Sequence, residues 1–329
     1  MNRKIRWGVL GWARIARLEV IPAITRSRNG EFHALASRHE AKRAECRAQH
    51  PATALHASYE DLLRDAPVDA VYNPLPNSLH KEWTIRAAEA GKHVLCEKPV
   101  ALNAAEAREM IAACRANGVT FMEAFMYRYT TRTQKVLEVL RSGVLGDIKF
   151  IHAQFRFLLN RPGDVRRAAG LGGGSLYDVG CYPVNFTGLV MDTITGSAPG
   201  TGPRPESIRA LEVRENGVDE LFSATLRYPG GVIASLHSGL NAQGRHLAEL
   251  VGTKGALEIP ATFLGTAGTA TLIAGDQRQE IAIPECDRYR LQVEDFAGAI
   301  LEKRPPLLTP GETLRNIELL DALYAAAKH

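Results

Sequence analysis

The first apolar run of the chain leads into a turn of small residues, Trp7-Gly8-Val9-Leu10-Gly11-Trp12-Ala13-Arg14-Ile15-Ala16. A dinucleotide-binding fingerprint aligns Gly11, Ala13 and Ala16 with its three small positions, which let backbone amides at a helix N-terminus approach a pyrophosphate. However, Ala13 replaces the usual second glycine, and any tight turn between a strand and a helix needs small residues. The stretch predicts a strand, a turn and a helix, and its candidate cofactor contacts are Gly11, Trp12, Ala13, Arg14 and Ile15.

The pattern of predicted strands and helices differs between two parts of the chain. Up to about residue 125, short β-like runs alternate with helical stretches, which predicts a parallel sheet with crossover helices. The runs cover 5–10, 31–37, 68–73, 92–96 and 119–123. After residue 145, longer strands joined by Gly-rich turns predict a mostly antiparallel sheet. These strands cover 147–157, 207–215, 219–228 and 231–239, with helices expected around 177–191 and 289–302.

One helix of the N-terminal part carries clear end signals. Asn103 can cap it, with Glu106 three residues later as the capping-box partner. Asn117-Gly118 can end it before the next strand.

Basic residues follow the second strand, where an NAD-binding chain usually carries an acidic residue for the ribose hydroxyls. The strand ends at Ala36-Ser37-Arg38, so Ser37, Arg38 and Lys42 are candidates to bind a 2′-phosphate. A solvated arginine at a helix start is the alternative. The pattern favours NADP as the cofactor, with NAD as the other choice.

The third and fourth strands bring further candidates to the same edge, because ligands of open α/β sheets lie at the carboxyl ends of the strands. The fourth strand delivers Glu97-Lys98-Pro99, and Pro99 restricts Lys98 to extended geometry. A histidine in a first helical turn, such as His80, is either structural or directed at the cofactor. The candidate cofactor contacts of these two segments are Pro74, Leu75, Asn77, His80, Glu97 and Lys98.

A second constellation follows three consecutive glycines, Gly172-Gly173-Gly174. On a helix, Asp178, Tyr182 and Asn185 lie at i, i+4 and i+7 and so share one face. This face is either exposed to solvent or lines a cleft, and the glycine run before it favours a cleft.

In these motifs the chain resembles the glucose-fructose oxidoreductase and inositol dehydrogenase family, also called Gfo/Idh/MocA. The resemblance implies an α/β protein with a Rossmann NAD(P)-binding domain at 1–125. It also implies a C-terminal α/β domain at 126–329, whose large, mostly antiparallel open sheet commonly forms the oligomer interface. The helix around 289–302 is expected to pack back on the sheet or on the first domain. The motifs that carry the resemblance are Gly11 to Ala16, Pro76 to His80, Gly91 to Pro99, Met122 to Arg128 and Asp178 to Tyr182.

The resemblance also assigns roles to residues. It implies that Lys98 lies beside the nicotinamide and the substrate, that the bond before Pro99 is often cis, and that Arg128 belongs to a cofactor-side motif. Tyr182 stands where many inositol-type members have histidine, so the chain is similar to a tyrosine branch that includes NADP-dependent D-xylose 1-dehydrogenases and dimeric dihydrodiol dehydrogenases. Thr130-Thr131 replaces a His-Pro pair that is frequent in the family, so a substrate contact is expected to differ there.

These residues predict a dehydrogenase or reductase acting on CH-OH groups. A tyrosine of ordinary pKa, near 10, lies roughly 4 kcal/mol from ionisation at neutral pH. The Lys98 ammonium and the positive charge of the oxidised nicotinamide would both favour the phenolate of Tyr182. Asp178 is expected to position groups, because a carboxylate is a poor base for an alcohol.

The expected substrate is a sugar or cyclic polyol, with oxidation of an aldose such as D-xylose at C1 as the leading choice. Oxidation of a trans-dihydrodiol is the enzymatic alternative, and a non-catalytic NADP(H)-sensing regulator is the alternative of another class.

Charge and composition disfavour nucleic-acid binding, metal binding and membrane insertion. The net charge of +4 is spread without a basic block, which disfavours nucleic acid as a partner. Five cysteines without a C-x-x-C pair and ten scattered histidines predict reduced thiols and no metal site. No apolar run reaches the roughly 18 residues that span a bilayer, and the N-terminus enters a strand at once. We therefore expect a cytoplasmic protein. The open C-terminal sheet that the resemblance implies predicts association through that sheet, as a homodimer or a homotetramer.

Overall fold

The computed structural model describes residues 3–161 and 163–328, which form two compact units. The first unit comprises the chain up to Met126 together with Asp287–Pro310. The second comprises Tyr127–Cys286 and the chain from Gly311 onward. The segment Asp287–Pro310 thus returns to the unit formed by the N-terminal part of the chain.

The first unit contains a six-stranded sheet in the order β3-β2-β1-β4-β5-β6, with every neighbouring pair parallel. This confirms the predicted parallel sheet, because all five predicted runs form strands. The sequence did not predict β3, which has only three residues and no fully buried side chain. The strands are β1 Ile5–Leu10, β2 Gly30–Ala36, β3 Ala54–His56, β4 Ala70–Asn73, β5 His93–Glu97 and β6 Phe121–Ala124.

The second unit contains an eight-stranded sheet in the order β14-β13-β12-β11-β7-β10-β9-β8. Only β7 and β10 pair in parallel, so the predicted, mostly antiparallel sheet is confirmed. The strands are β7 Ile148–Leu158, β8 Ser207–Glu215, β9 Val218–Arg227, β10 Ile233–Gly239, β11 Asn241–Gly252, β12 Ala256–Pro260, β13 Gly268–Ala274 and β14 Gln277–Ile283.

The helices are α1 Ile21–Arg26, α2 Glu40–Gln49, α3 Tyr59–Arg64, α4 His80–Glu89, α5 Ala104–Ala116, α6 Thr131–Ser142, α7 Cys181–Thr195, α8 Arg288–Glu302 and α9 Pro310–Ala327. The helix capped by Asn103 and the helices predicted around 177–191 and 289–302 are present, as α5, α7 and α8. A π-helical turn precedes α1 at Ala16–Val20, and another precedes α7 at Leu176–Gly180.

Helix α8 is the helix predicted at 289–302, and it packs on α1 and β2 of the first unit. The Phe296 ring lies 5.4 Å from the Trp7 ring, centroid to centroid, and the Asn29 amide donates to the Glu294 carbonyl oxygen at 2.9 Å. A segment from late in the chain therefore completes the core under β1.

Candidate active site

The turn after β1 has a backbone conformation that favours glycine. Gly11 has φ +90°, and its N–H donates to the Ala36 carbonyl oxygen at 2.8 Å. A Cβ built on Gly11 would lie 3.5 Å from both Leu75 Cδ2 and the Tyr59 hydroxyl. A side chain there would be strained and would fill the space over the turn, so the backbone can closely approach a ligand. The turn fits the pyrophosphate of a dinucleotide.

The other residues of this turn differ in exposure. Trp12 is buried and Arg14 is exposed, whereas Ala13 and Ile15 are partly exposed. Arg14 is therefore the side chain of the turn that is most accessible to a ligand.

The residues predicted to recognise a 2′-phosphate lie at the carboxyl end of β2. Ser37 is buried, and its hydroxyl accepts from the His39 N–H at 3.3 Å. Arg38 and Lys42 are exposed. Burial raises the pKa of Tyr59, and the charge of Arg38 opposes that shift. Since the Tyr59 hydroxyl also faces Gly11, the structure brings Arg38 and the Gly11 turn to one tyrosine.

His80 joins the two loops that follow β4 and β5. It is fully buried, and its Nε2 lies 2.8 Å from the Leu75 carbonyl oxygen while its Nδ1 lies 3.0 Å from the Pro99 carbonyl oxygen. Burial lowers its pKa to about 4, although the two carbonyl groups favour the protonated ring. In this position the imidazole contacts backbone on both sides, which is a structural arrangement.

The loop after β4 also contains the candidates Pro74, Leu75 and Asn77. Pro74 and Leu75 are buried, and Asn77 begins a short 3-10 turn, Asn77–Leu79, before α4. Leu75 contacts the space above Gly11, as described for the first turn.

Lys98 has a backbone held by its neighbours in sequence and in space. Glu97 Oε2 accepts from the Lys98 N–H at 3.3 Å, and Glu97 Oε1 accepts from the Tyr72 hydroxyl at 2.6 Å. Burial, and then the charge of Glu97, raise the pKa of Tyr72, so its phenol remains a donor. The Lys98-Pro99 peptide bond is cis, as the resemblance implied. The structure thus positions Lys98 at the carboxyl end of β5, in the same sheet as the Gly11 turn.

Tyr182 lies in the first turn of α7, within a group of aromatic rings. Its ring centroid is 5.4 Å from that of Phe155, 5.6 Å from Phe263 and 5.9 Å from Tyr127. Its exposed fraction is 4%. Ring packing on several sides limits the orientations available to this phenol.

Asp178 lies in the π-helical turn before α7 and is bound by an arginine that the sequence did not single out. Arg166 Nε donates to Asp178 Oδ2 at 2.7 Å, and Arg166 Nη1 lies 3.2 Å from Asp164 Oδ1. The Gly174 N–H donates to the Arg166 carbonyl oxygen at 2.9 Å, and a Cβ on Gly173 would clash with that carbonyl. The glycine run is therefore needed for close passage of the loop that carries Arg166.

Arg128 binds residues of the second unit. Its Nη1 lies 2.8 Å from Glu312 Oε1 and 3.4 Å from Asn185 Oδ1, and the Tyr127 hydroxyl donates to the same Asn185 oxygen at 2.6 Å. Thr130, where the family often has histidine, caps α6 by accepting from the Thr133 N–H at 3.1 Å. Arg128 and Asn185 therefore belong to a buried polar network that ends at α9.

The structure groups the candidates by unit. The Gly11 turn, Ser37, Arg38, His80 and Glu97 to Pro99 lie in the first unit, whereas Tyr127, Arg128, Asp178 and Tyr182 lie in the second. No simple sequence signal could have found Arg166, Glu312 or Tyr72, because each partner is distant in sequence or lies outside a motif.

Among residues 3–161 and 163–328, no group of three or more His, Cys, Asp and Glu is arranged to hold a metal ion. No helix in the same part of the chain is long and apolar enough to cross a membrane. The five cysteines are free thiols, and four of them are buried.

Comparison with known proteins supplies two family matches. The profile of the GFO/IDH/MocA oxidoreductase family, with an NAD-binding Rossmann fold, matches residues 5–125. The profile of the GFO/IDH/MocA C-terminal domain matches residues 133–258.

Individual relatives cover most of the chain. A D-xylose 1-dehydrogenase (NADP+) from Haloferax volcanii is 35% identical over 98% of this chain and 97% of its own length. A trans-1,2-dihydrobenzene-1,2-diol dehydrogenase from Xenopus tropicalis is 32% identical over 83% of this chain and 80% of its own.

One solved structure is similar to the chain in its fold. A 3-ketoreductase from Actinomadura kijaniata, in complex with NADP and TDP-benzene, is 30% identical, has a TM-score of 0.90 and covers 98% of each chain. That reductase has also been solved with one tyrosine replaced by phenylalanine and with one lysine replaced by alanine.

Proposed function

The chain belongs to the Gfo/Idh/MocA oxidoreductase family, and from that membership we propose that it transfers hydride between NADP and a hydroxyl or carbonyl group of a sugar or cyclic polyol. The observation that carries the proposal is the fixed backbone of Lys98 at the carboxyl end of β5. It lies in the same sheet as the Gly11 turn, and ligands of such sheets bind at this edge.

NADP is the proposed cofactor because Arg38 and Lys42 are exposed beside β2, where an NAD-binding chain would carry an acidic residue. The xylose dehydrogenase and the ketoreductase, which are named or solved with NADP, support the same choice. Gly11 would admit the pyrophosphate, and Arg38 with Ser37 would hold the 2′-phosphate. When bound, the nicotinamide supplies the hydride acceptor.

Lys98 and Tyr182 are proposed to share the proton chemistry of one substrate hydroxyl. In oxidation, Tyr182 takes the hydroxyl proton while the carbon loses hydride, and the Lys98 ammonium favours the phenolate. In reduction, Tyr182 returns the proton to the oxygen. Asp178, held by Arg166, positions groups and does not transfer the proton. The ketoreductase has been solved with a tyrosine replaced and with a lysine replaced, and these structures support a role for the same two residue types here.

An aldose oxidised at C1, such as D-xylose, is the proposed substrate. The xylose dehydrogenase supports this choice because it is 35% identical over nearly the whole chain. A trans-dihydrodiol is the competing substrate, supported by a relative that covers less of the chain. We also propose self-association through the sheet of the second unit, on which Leu211, Val213 and Leu158 are exposed apolar residues.

The test is an assay of the purified protein with NADP or NAD and a panel of D-xylose, other aldoses, cyclic polyols and a trans-dihydrodiol, followed by absorbance of the reduced cofactor. We expect reduction of NADP that depends on an aldose. Preference for the dihydrodiol would replace the substrate assignment, and no reduction with any member would favour a sensor of NADP(H).

Two substitutions test the proposed residues. Lys98→Met and Tyr182→Phe should each lower kcat by about 100-fold or more, since positioned acid-base groups contribute roughly that amount. NADPH binding, measured by fluorescence titration, should remain within about threefold of the unsubstituted protein. Phe155→Leu, which alters the aromatic group without removing a proton carrier, is the matched control. Near-normal turnover of either variant would contradict its assigned role.

A further inference from the structure

The second unit contains a cavity that the proposed reaction does not use. Its volume is about 280 Å³, and its walls come from α7, α9, the segment 203–205 and the neighbouring ends of β8 and β9. An engineered cavity of about 150 Å³ takes up benzene, so this space can hold a larger ring compound.

The charges in the cavity wall are compensated. Arg315 pairs with Asp192, Arg204 lies 2.7 Å from Glu318, and Glu312 lies 2.8 Å from Arg128. Each charged side chain that lines the cavity therefore has an opposite charge beside it. An ionic ligand would have to displace one of these partners, whereas a neutral ligand would not.

One polar atom of a wall residue lacks a partner. Asn316 is 96% buried, because its exposed fraction is 4%, and its Oδ1 has no hydrogen-bond partner among the described residues. A buried amide oxygen without a partner costs about 1–3 kcal/mol. The amide can rotate by half a turn and present either its oxygen or its NH₂ group to the cavity. A hydroxyl group can satisfy either orientation, since it both donates and accepts.

The remaining wall is largely apolar and includes Val184, Ile208, Leu319 and Ala322. A hydrocarbon ring would bury its surface there, and this burial contributes roughly 25 cal/mol per Å². Asn185 and Glu312 also line the cavity, so an occupant would lie against the network that holds Tyr127 and Arg128.

We propose that this cavity is a binding site for a neutral, ring-sized alcohol, with its ring against the apolar wall and its hydroxyl group on the Asn316 amide. The proposal is independent of the substrate and of the proton chemistry assigned to Lys98 and Tyr182.

Titration of the full chain with benzyl alcohol, followed by ligand-detected NMR, tests the proposal. Toluene is the matched ligand, because it has a similar ring and no hydroxyl. We expect saturable binding of benzyl alcohol that is about two- to tenfold tighter than that of toluene, as one net hydrogen bond provides. No saturable binding, or equal binding of the two ligands, would overturn the proposal.

Two variants locate the binding. Ala322→Phe should fill the cavity and abolish binding, whereas Ala325→Phe, an exposed position on the same helix, should leave it unchanged. Asn316→Leu removes the amide and should abolish the preference for benzyl alcohol over toluene. Thermal unfolding verifies that each variant is folded. Unchanged binding by Ala322→Phe would place the ligand elsewhere, and an unchanged preference in Asn316→Leu would remove Asn316 from the site.

Discussion

At the scale of single residues, the candidates found from sequence motifs are supported by partners that no motif contains. Glu97 was predicted beside Lys98, yet its carboxylate also accepts from Tyr72, whose position depends on the pairing of β4 with β5. Asp178 was predicted from helical spacing, but Arg166, twelve residues earlier, binds it. Such contacts depend on a loop path, which local residue patterns do not encode.

The Arg166 contact gives a prediction about the reaction. Arg166→Gln should lower kcat/KM by about tenfold or more, because it removes a charge-assisted hydrogen bond to Asp178. Arg166→Lys should recover only part of the loss, since one ammonium cannot reproduce the planar contacts to Asp178 and Asp164.

Steady-state kinetics that separate kcat from KM provide the measurement for Arg166, with NADPH affinity as a second readout. Arg161→Gln makes the same arginine-to-glutamine change in the same loop and is the control. Unchanged kinetic constants in Arg166→Gln would show that Asp178 needs no positioning by this arginine.

At the scale of elements, local signals were sufficient where a helix end is stabilised by its own residues. Asn103 Oδ1 accepts from the Glu106 N–H at 2.9 Å, as predicted, and Glu106 Oε2 accepts from the Leu102 N–H at 3.0 Å. The start of α7 differs from the prediction of a regular helix, because a π-helical turn occupies Leu176–Gly180. There the buried Asp219 carboxylate accepts from the Leu176 N–H at 2.7 Å and the Ser175 hydroxyl at 2.8 Å. The cap of α5 is local, whereas the start of α7 depends on β9.

The cap of α5 predicts a measurable contribution to stability. Asn103→Ala should lower the free energy of unfolding by about 1 kcal/mol, because it leaves a helix N–H without its acceptor. Asn103→Asp, which keeps a capping oxygen, should retain most of that stability. Urea unfolding followed by circular dichroism measures both, and equal stabilities of the alanine and aspartate variants would contradict a capping role.

At the scale of the whole molecule, contacts between distant parts of the chain determine the composition of each unit and its response to pH. His80 shows this, because its ring contacts the loops after both β4 and β5 and is fully buried. An unfolded histidine takes up a proton near pH 6.5, whereas burial lowers the folded pKa to about 4. Between these values the unfolded state binds more protons, so acidification destabilises the folded chain.

This difference predicts a specific pH dependence. The stabilising contribution of neutral His80 should be complete above about pH 6.5 and should fall by roughly 3 kcal/mol as the pH approaches 4. In His80→Gln that part of the dependence should be absent, although the variant should be less stable at neutral pH. Urea unfolding of both proteins at several pH values between 4 and 7 measures the difference, and parallel curves would contradict the assignment.

The sequence by itself determined the parallel and antiparallel character of the two sheets, the Gly11 turn, and the Glu97-Lys98-Pro99 and Asp178-Tyr182 motifs. Hydrophobic periodicity, glycine conformation and helix capping act over a few residues, so they can be read without tertiary structure. The fold alone decided that Arg166 binds Asp178 and that Arg128 pairs with Glu312. These outcomes depend on burial and charge pairing between residues far apart in the chain, and only the folded arrangement brings them within hydrogen-bonding distance.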